Sequence, residues 1–395
     1  IRGPLNEAVF ISAAQQLVAE MEAARTWFEE TPAGPVQRVG EPFGWTPDVH
    51  DFSAETDPVA TARSWMQARV PHAFDLTQRP LFHFALLRLG EGRWFWFQVG
   101  HHLILDGYCA LLLARRTAVL YEARLAGREP ETPPVAPIAE LLQDEVNYRN
   151  SASWQRDREH WLRVLEDRPE PVRLTRRRTT RLGGFVRREL SMSPALSDAL
   201  EARARAAGGS MGDAIMAAVA WYLYRLTGER DLLLAVPVLG RVGRKSRETP
   251  TMLANVVPAR IAVTPGDAFE HLVAAVARAQ RGALRHQRFP REELRRALGL
   301  GPNDDDVAAI TVNSMPFDLR VPLGECDATM HNLTNGPVAD LSFVCYHRRP
   351  GEATPLHLNG HADLYTVDEL AAHGLRLVRL LEGIGAQTAG VPLAG

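Results

Sequence analysis

His101-His102-Leu103-Ile104-Leu105-Asp106-Gly107, in pattern form HHxxxDG, is the stretch whose reading decides the fold. Just before it, Arg93-Trp94-Phe95-Trp96-Phe97-Gln98-Val99 is aromatic and apolar enough for a buried strand, and just after it Ala110 to Ala126 has the composition of a helix. The motif therefore falls at a strand-to-loop-to-helix junction, where side chains can face a cavity.

Its residue types suit acyl transfer. An imidazole has an ordinary pKa that lets it accept a proton near neutrality, so a His held in a cleft can deprotonate or orient an amine or hydroxyl. Neighbours on an extended segment point opposite ways, so one of His101 and His102 faces the cavity while the other packs behind it. Asp106 either caps the following helix or pairs with a distant Arg, and both roles are structural. Gly107 leaves room for a nucleophile beside the His and lets a helix N-terminal N–H face a developing oxyanion. The competing reading is a buried His pair with a capping Asp and a turn Gly.

The 395 residues are 46% hydrophobic, which allows a large core and suggests two lobes. A net charge of -2 gives no bulk attraction to nucleic acid or a membrane surface. Cys109, Cys326 and Cys345 are odd in number and far apart, so neither a disulfide framework nor a zinc site is expected, and the reading is cytoplasmic. No signal peptide and no apolar run of about 18 residues occurs. GxSxG, GxxxxGKS/T, HExxH and paired CxxC are all absent, which argues against a serine hydrolase, a P-loop NTPase and a zinc enzyme.

In chain order, Asn6 starts a helix whose apolar positions recur through Met21. Residues 31–50 read as a Pro- and Gly-rich surface loop and Pro58 to Val70 as a helix. Leu81 to Leu89 and Arg93 to Gly100 form a hairpin that delivers the motif. A Pro-rich spacer at 130–137 precedes two helical stretches ending near Leu165. Residues 168–184 are polar and basic, with Arg173, Arg176, Arg177, Arg178 and Arg181, and divide an N-terminal lobe (1–167) from a C-terminal lobe (185–395). The second lobe is expected to hold strands at 186–192, 232–237, 256–263, 308–315, 328–332, 341–346 and 356–360, with helices at 194–207, 211–226, 268–284 and 366–382. Arg278, Arg281, Arg285 and Arg288 recur at helical spacing and read as a solvated face. Cys109 reads as buried and inert, and Asn313 and Ser314 as core or ladder residues that could approach a channel.

HHLILDG resembles the active-site motif of the condensation domains of non-ribosomal peptide synthetases, within the chloramphenicol-acetyltransferase-like superfamily. Further segments carry the likeness: Phe74-Asp75-Leu76 with Pro80-Leu81, His160-Trp161 with Leu165, Pro237 to Gly240-Arg241, Asn255 to Pro258, and His286-Gln287 with Phe289-Pro290 and Glu293. The resemblance covers nearly the whole chain. It implies an α/β fold of two chloramphenicol-acetyltransferase-like lobes, a V-shaped pseudo-dimer with a channel between them. The family has an opening segment upstream, so the chain is expected to begin inside its domain, and Val391-Pro392-Leu393 resembles the lead into a next domain.

The resemblance implies a condensation domain that forms an amide, or an ester, between substrates on 4'-phosphopantetheine arms of donor and acceptor peptidyl carrier proteins. His102 and Gly107 are then catalytic, and His101, Asp106 and Arg241 structural, with Asp106 paired to Arg241 across the lobes through an Arg fork. Tyr108, Asn255 and Ser314 are candidate channel residues. No metal and no bound cofactor is implied. Neighbouring synthetase domains are the expected partners of a monomeric domain. Epimerisation domains carry an EGHGR-type segment where this chain has Val236 to Arg241, and heterocyclisation domains replace the motif with aspartates. Thr251 to Pro258 is similar to modules that accept an acyl starter group. Two alternatives are a stand-alone acyltransferase using coenzyme A thioesters and an inactive docking platform; intact His102 and Gly107 speak against the platform.

Overall fold

The structure, a computed structural model, describes every residue except 72, 131–136, 180–182, 302, 303, 305, 335, 394 and 395. Most of the expected spacer 130–137 and Arg181 of the basic stretch lie outside the described residues. The chain forms two compact units, neither continuous in sequence. One comprises Ile1–Asn147, Arg241–Leu253 and Leu319–Gly336; the other comprises Tyr148–Gly240, Ala254–Asp318 and Pro337–Gly395. These bounds differ from a division at 168–184. Trp161, Leu165 and Val172 join the second unit's core, which draws the helix Ala152–Val164 into that unit.

In the first unit, the Asn6 side chain caps the helix Glu7–Glu20 by accepting from the Val9 N–H. Phe82–Gly90 and Arg93–Gly100 form the expected antiparallel hairpin, and Asp48–Asp51 adds to its outer edge in parallel. Strand alternation sorts the two faces. Trp96 lies against Phe10 of the first helix with ring centroids 5.1 Å apart, while Ala85, Leu87 and Phe97 pack under Ala62 and Met66 of the helix Pro58–Gln67. The expected loop at 31–50 is corrected by a second hairpin, Thr26–Thr31 with Gly34–Val39. Its second strand is mostly exposed and begins with Gly34-Pro35, so it carries little apolar alternation. The strand expected at 328–332 is Cys326–Thr329, paired with Arg320–Leu323.

The second unit is built on a six-stranded mixed sheet. Its order is Phe185–Met192, Thr354–His361, Leu341–Tyr346, Ile310–Met315, Asp231–Val238, Asn255–Ala262. Leu341–Tyr346 is buried throughout and runs parallel to Ile310–Met315. The Ala- and aromatic-rich helix Met211–Thr227, started by a Ser210–Asp213 capping box, is buried along most of its length. The helices Phe269–Arg285 and Val367–Ala386 lie close to their expected bounds. Two short helices, Arg291–Ala297 here and Arg244–Glu248 in the first unit, were not legible from periodicity. All three cysteines are free and buried.

Candidate functional site

The hairpin delivers the motif into a turn. The His101 N–H donates to the Leu81 carbonyl at 2.8 Å, and the Ile104 and Leu105 N–H groups return to the His101 carbonyl at 3.0 and 3.3 Å. The two histidines therefore sit on a turn rather than an extended segment, yet their settings differ. His101 is half-buried, accepts the Leu103 N–H on Nδ1 at 3.1 Å, and meets Phe74 edge-on at 6.2 Å. Burial, reinforced by the adjacent His102, lowers its pKa below the usual histidine value. His102 is exposed. Its ring lies beside Gly336, where an added Cβ would stand 3.2 Å from Cδ2 and 3.8 Å from Nε2. Gly336 has φ +81°, a conformation that favours glycine.

Asp106 holds the turn, and it takes both of the roles that the sequence left open. Its Oδ1 accepts the Cys109 N–H at 2.8 Å, capping the helix Gly107–Leu125. Its Oδ2 accepts from Arg241 Nη2 at 2.9 Å and from the Leu253 N–H at 2.9 Å. Both side chains of the ion pair are within 2% of full burial. The geometry corrects the expected fork: one nitrogen, Nη2, serves both carboxylate oxygens, with Oδ1 at 3.2 Å. Nη1 instead donates to the Ser246 and Thr249 carbonyls, and Nη2 also reaches the Thr251 carbonyl at 2.7 Å. The guanidinium therefore folds its own segment, 241–253, around itself. That segment belongs to the first compact unit, so the pair is internal to this unit and not a bridge from the other one.

Cys109, two residues into the helix, donates its thiol to the Thr251 carbonyl at 2.9 Å. Burial and the Asp106 charge push its pKa up, which makes it an inert thiol. Tyr108 is half-buried beside Arg241, whose guanidinium carbon is 5.0 Å from the ring centre. Gly107 is exposed as the first residue of its helix. Thus His101, His102, Asp106, Gly107, Tyr108 and Arg241 are gathered in one unit.

Asn255 and Ser314 lie in the second unit. Asn255 is a clamp: Nδ2 donates to the Gln287 and Phe289 carbonyls at 2.9 and 2.7 Å, and Oδ1 accepts from the Val256 and Arg291 N–H groups. Ser314 is packed close to Gly212, where an added Cβ would come within 2.7 Å of its Oγ. Sequence reading missed Leu253, Thr251 and Gly336 at the motif. The first two act through backbone groups, which side-chain identity does not reveal, and Gly336 is one glycine among 30. Among the described residues, no group of three or more His, Cys, Asp or Glu could hold a metal ion.

A family model described as "Condensation domain" matches residues 1–338. The chain is 33% identical over 390 residues to a dimodular nonribosomal peptide synthase of Bacillus subtilis (strain 168), covering 98% of this chain and 16% of that protein. It is 33% identical over 382 residues to an isonitrile lipopeptide synthase of Streptomyces coeruleorubidus, covering 96% of this chain and 26% of that protein. The chain thus spans about a sixth to a quarter of these relatives' length. Among solved structures it is similar to the starter condensation domain of rhizomide synthetase RzmA in a complex with C8-CoA and Leu-SNAC. That likeness has a TM-score of 0.91 at 36% identity, over 99% of this chain and 88% of that one. The first condensation domain of the CDA synthetase gives 0.90 at 32%, over 99% and 90%.

Proposed function

Because the chain belongs to the condensation-domain family, whose members in nonribosomal peptide synthetases are amide-forming acyltransferases, we propose that it joins an acyl or peptidyl thioester donor to a carrier-bound amine, with His102 and Gly107 at the reacting atoms. The observation that supports this reading is an exposed His102 on a turn that leads directly into the buried Asp106–Arg241 pair. A thioester is already activated, so no covalent intermediate with the protein is required; proximity, a neutral amine and oxyanion stabilisation suffice. The amine nitrogen attacks the thioester carbonyl, the C–N bond forms and the C–S bond breaks. His102 orients the amine and takes its proton, which leaves with the thiol. Gly107, lacking a side chain, admits the nucleophile, and its N–H lies in the first turn of a helix, where partial positive charge meets an oxyanion.

On this reading donor and acceptor arrive on phosphopantetheine arms of carrier proteins, in the cytoplasm, beside other synthetase domains, and the chain's own residues need no metal or further cofactor. Among the described residues, no helix is long and apolar enough to cross a membrane. A second reading, with a fatty-acyl coenzyme A as donor, is favoured by the likeness to a starter condensation domain solved with C8-CoA. Mass spectrometry of an amine-loaded carrier protein, incubated with acyl-carrier protein or with acyl-coenzyme A, separates the two donors. In either arm His102→Ala is expected to lower the condensation rate by roughly 10²- to 10⁴-fold while the protein stays folded. Near wild-type turnover in a folded His102→Ala protein would remove the catalytic assignment.

A further inference from the structure

A cavity of about 680 Å³ opens in the second unit, beside the edge strand Asn255–Ala262 and the helix Phe269–Arg285. No feature of the condensation chemistry uses it. Val164, Ala262 and Ala279 give it apolar walls, with the buried Trp161, Pro258 and Val263 beneath them. Its size falls in the range of small-molecule sites, about 300 to 1,000 Å³. Gly282 helps keep it open: an added Cβ there would meet only His160 Cε1, at 4.0 Å.

The polar lining of the cavity is mostly guanidinium. Arg260 is fully engaged, with Asp231 and with the Val164, Glu166 and Asp167 carbonyls. Arg230 and Arg278 line the same space, are exposed, and make no ion pair among the described residues. His160 stacks on His286 with ring centroids 3.8 Å apart, and no described group hydrogen-bonds its ring nitrogens. The one carboxylate in the lining, Asp231, is bound by Arg260. Two guanidiniums and an imidazole N–H without partners, over an apolar floor, complement a ligand with an anionic head and an apolar tail.

We propose that this cavity, outside the HHxxxDG site, binds a medium-chain carboxylate, with the tail against Val164, Ala262 and Ala279 and the head at Arg230 and Arg278. The carboxylate accepts from the two guanidiniums, and the tail replaces water on the walls. Each methylene buried there is worth about fourfold in affinity.

Isothermal titration of the full chain tests this with three probes: octanoate, hexanoate and inorganic phosphate. Octanoate is expected to bind one-to-one and on the order of tenfold more tightly than hexanoate, with phosphate far weaker than both. The double substitution Arg230→Gln with Arg278→Gln should weaken octanoate at least tenfold. Gly282→Leu should fill the cavity and remove binding, and Ala279→Leu serves the same purpose if the first variant does not fold. Arg230→Gln with Arg278→Gln should leave the condensation rate unchanged while it weakens octanoate, which separates this site from the condensation site and lets either assignment fail alone. The proposal is overturned if octanoate does not saturate, if phosphate binds as tightly, or if neither the paired Gln substitutions nor a folded cavity-filling variant moves the affinity.

Discussion

Asp157 in the second unit accepts from the Tyr148 hydroxyl and meets His286 Nδ1, each at 2.6 Å, while His286 stacks on His160. Asp106 in the first unit also stands near two histidines, but its oxygens are bonded to two backbone N–H groups and a guanidinium. On side-chain types alone, the first arrangement looks more like catalytic machinery, because a carboxylate orients an imidazole. Its surroundings say otherwise. Trp161 donates to the His286 carbonyl, and the Asn255 amide holds the Gln287 and Phe289 carbonyls, so the cluster locks a turn in place. At the motif the carboxylate fixes the backbone and the His102 imidazole stays exposed. A histidine's availability, more than its distance from an acid, distinguishes the two.

The largest expected effect comes from breaking the Asp106 node. Removing one partner of a buried ion pair costs about 3 to 5 kcal/mol, whereas losing a helix cap alone costs about 1 kcal/mol. Asp106→Asn keeps a good capping acceptor for the Cys109 N–H but discards the charge, so it separates the two contributions. Urea unfolding is expected to show Asp106→Ala and Arg241→Ala each losing about 3 to 5 kcal/mol, Asp106→Asn losing most of that, and the double alanine variant losing less than the sum. Additive losses within about 0.5 kcal/mol would dissolve the node.

His160 of the Asp157 cluster, and His357 on the strand Thr354–His361 of the same unit, should show themselves through pH. Burial, then the charges of His286 and Arg163, lower the His160 pKa to about 4. Burial and Arg187 bring His357 to about 4 as well. The unfolded chain protonates these imidazoles near pH 6.5, while the folded one resists until about pH 4. Their contribution to stability is therefore complete above pH 6.5 and is lost as the pH falls towards about 4. Urea unfolding at pH 7, 6 and 5 should show stability falling with pH, with a shallower fall in His160→Gln and a shallower one still when His357→Gln is added. An unchanged slope in both variants would show that neither imidazole is held neutral by the fold.

The sequence carried the framework well because local signals governed it. Asn6, Asp57, Ser193 and Thr366 each cap the helix that follows, and the hairpin that delivers the motif lies where apolar alternation and Gly90 to Gly92 put it. Less was legible where exposed strands carry little alternation, as at Gly34–Val39, or where a helix is too short for a period, as at Arg244–Glu248. The site itself was half legible. Side chains identified Asp106 and Arg241, but the Leu253 N–H and the Ser246, Thr249 and Thr251 carbonyls complete the node through the backbone. The assignment of residues 241–253 to the first unit depends on tertiary contact, which chain order does not reveal.

The smallest effect concerns the other neighbour of the motif. Gly336 places its α-carbon beside the His102 ring, so a methyl group there would meet Cδ2 at 3.2 Å and push the imidazole by a few tenths of an ångström. Alanine in the left-handed region also strains the backbone, by about 1 to 2 kcal/mol, which would blur any loss of function. Gly351 provides the control: its φ is +80°, almost the same, and an added Cβ there meets nothing within 4 Å. Gly336→Ala and Gly351→Ala should therefore lose similar stability. Only Gly336→Ala should shift the His102 imidazole resonances and lower the condensation rate, by roughly tenfold, because small displacements of a positioned group are costly in rate. If the two variants match in resonances as well as in rate, the contact with Gly336 does not position His102, and the Asp106 node holds the motif from behind with no steric limit in front.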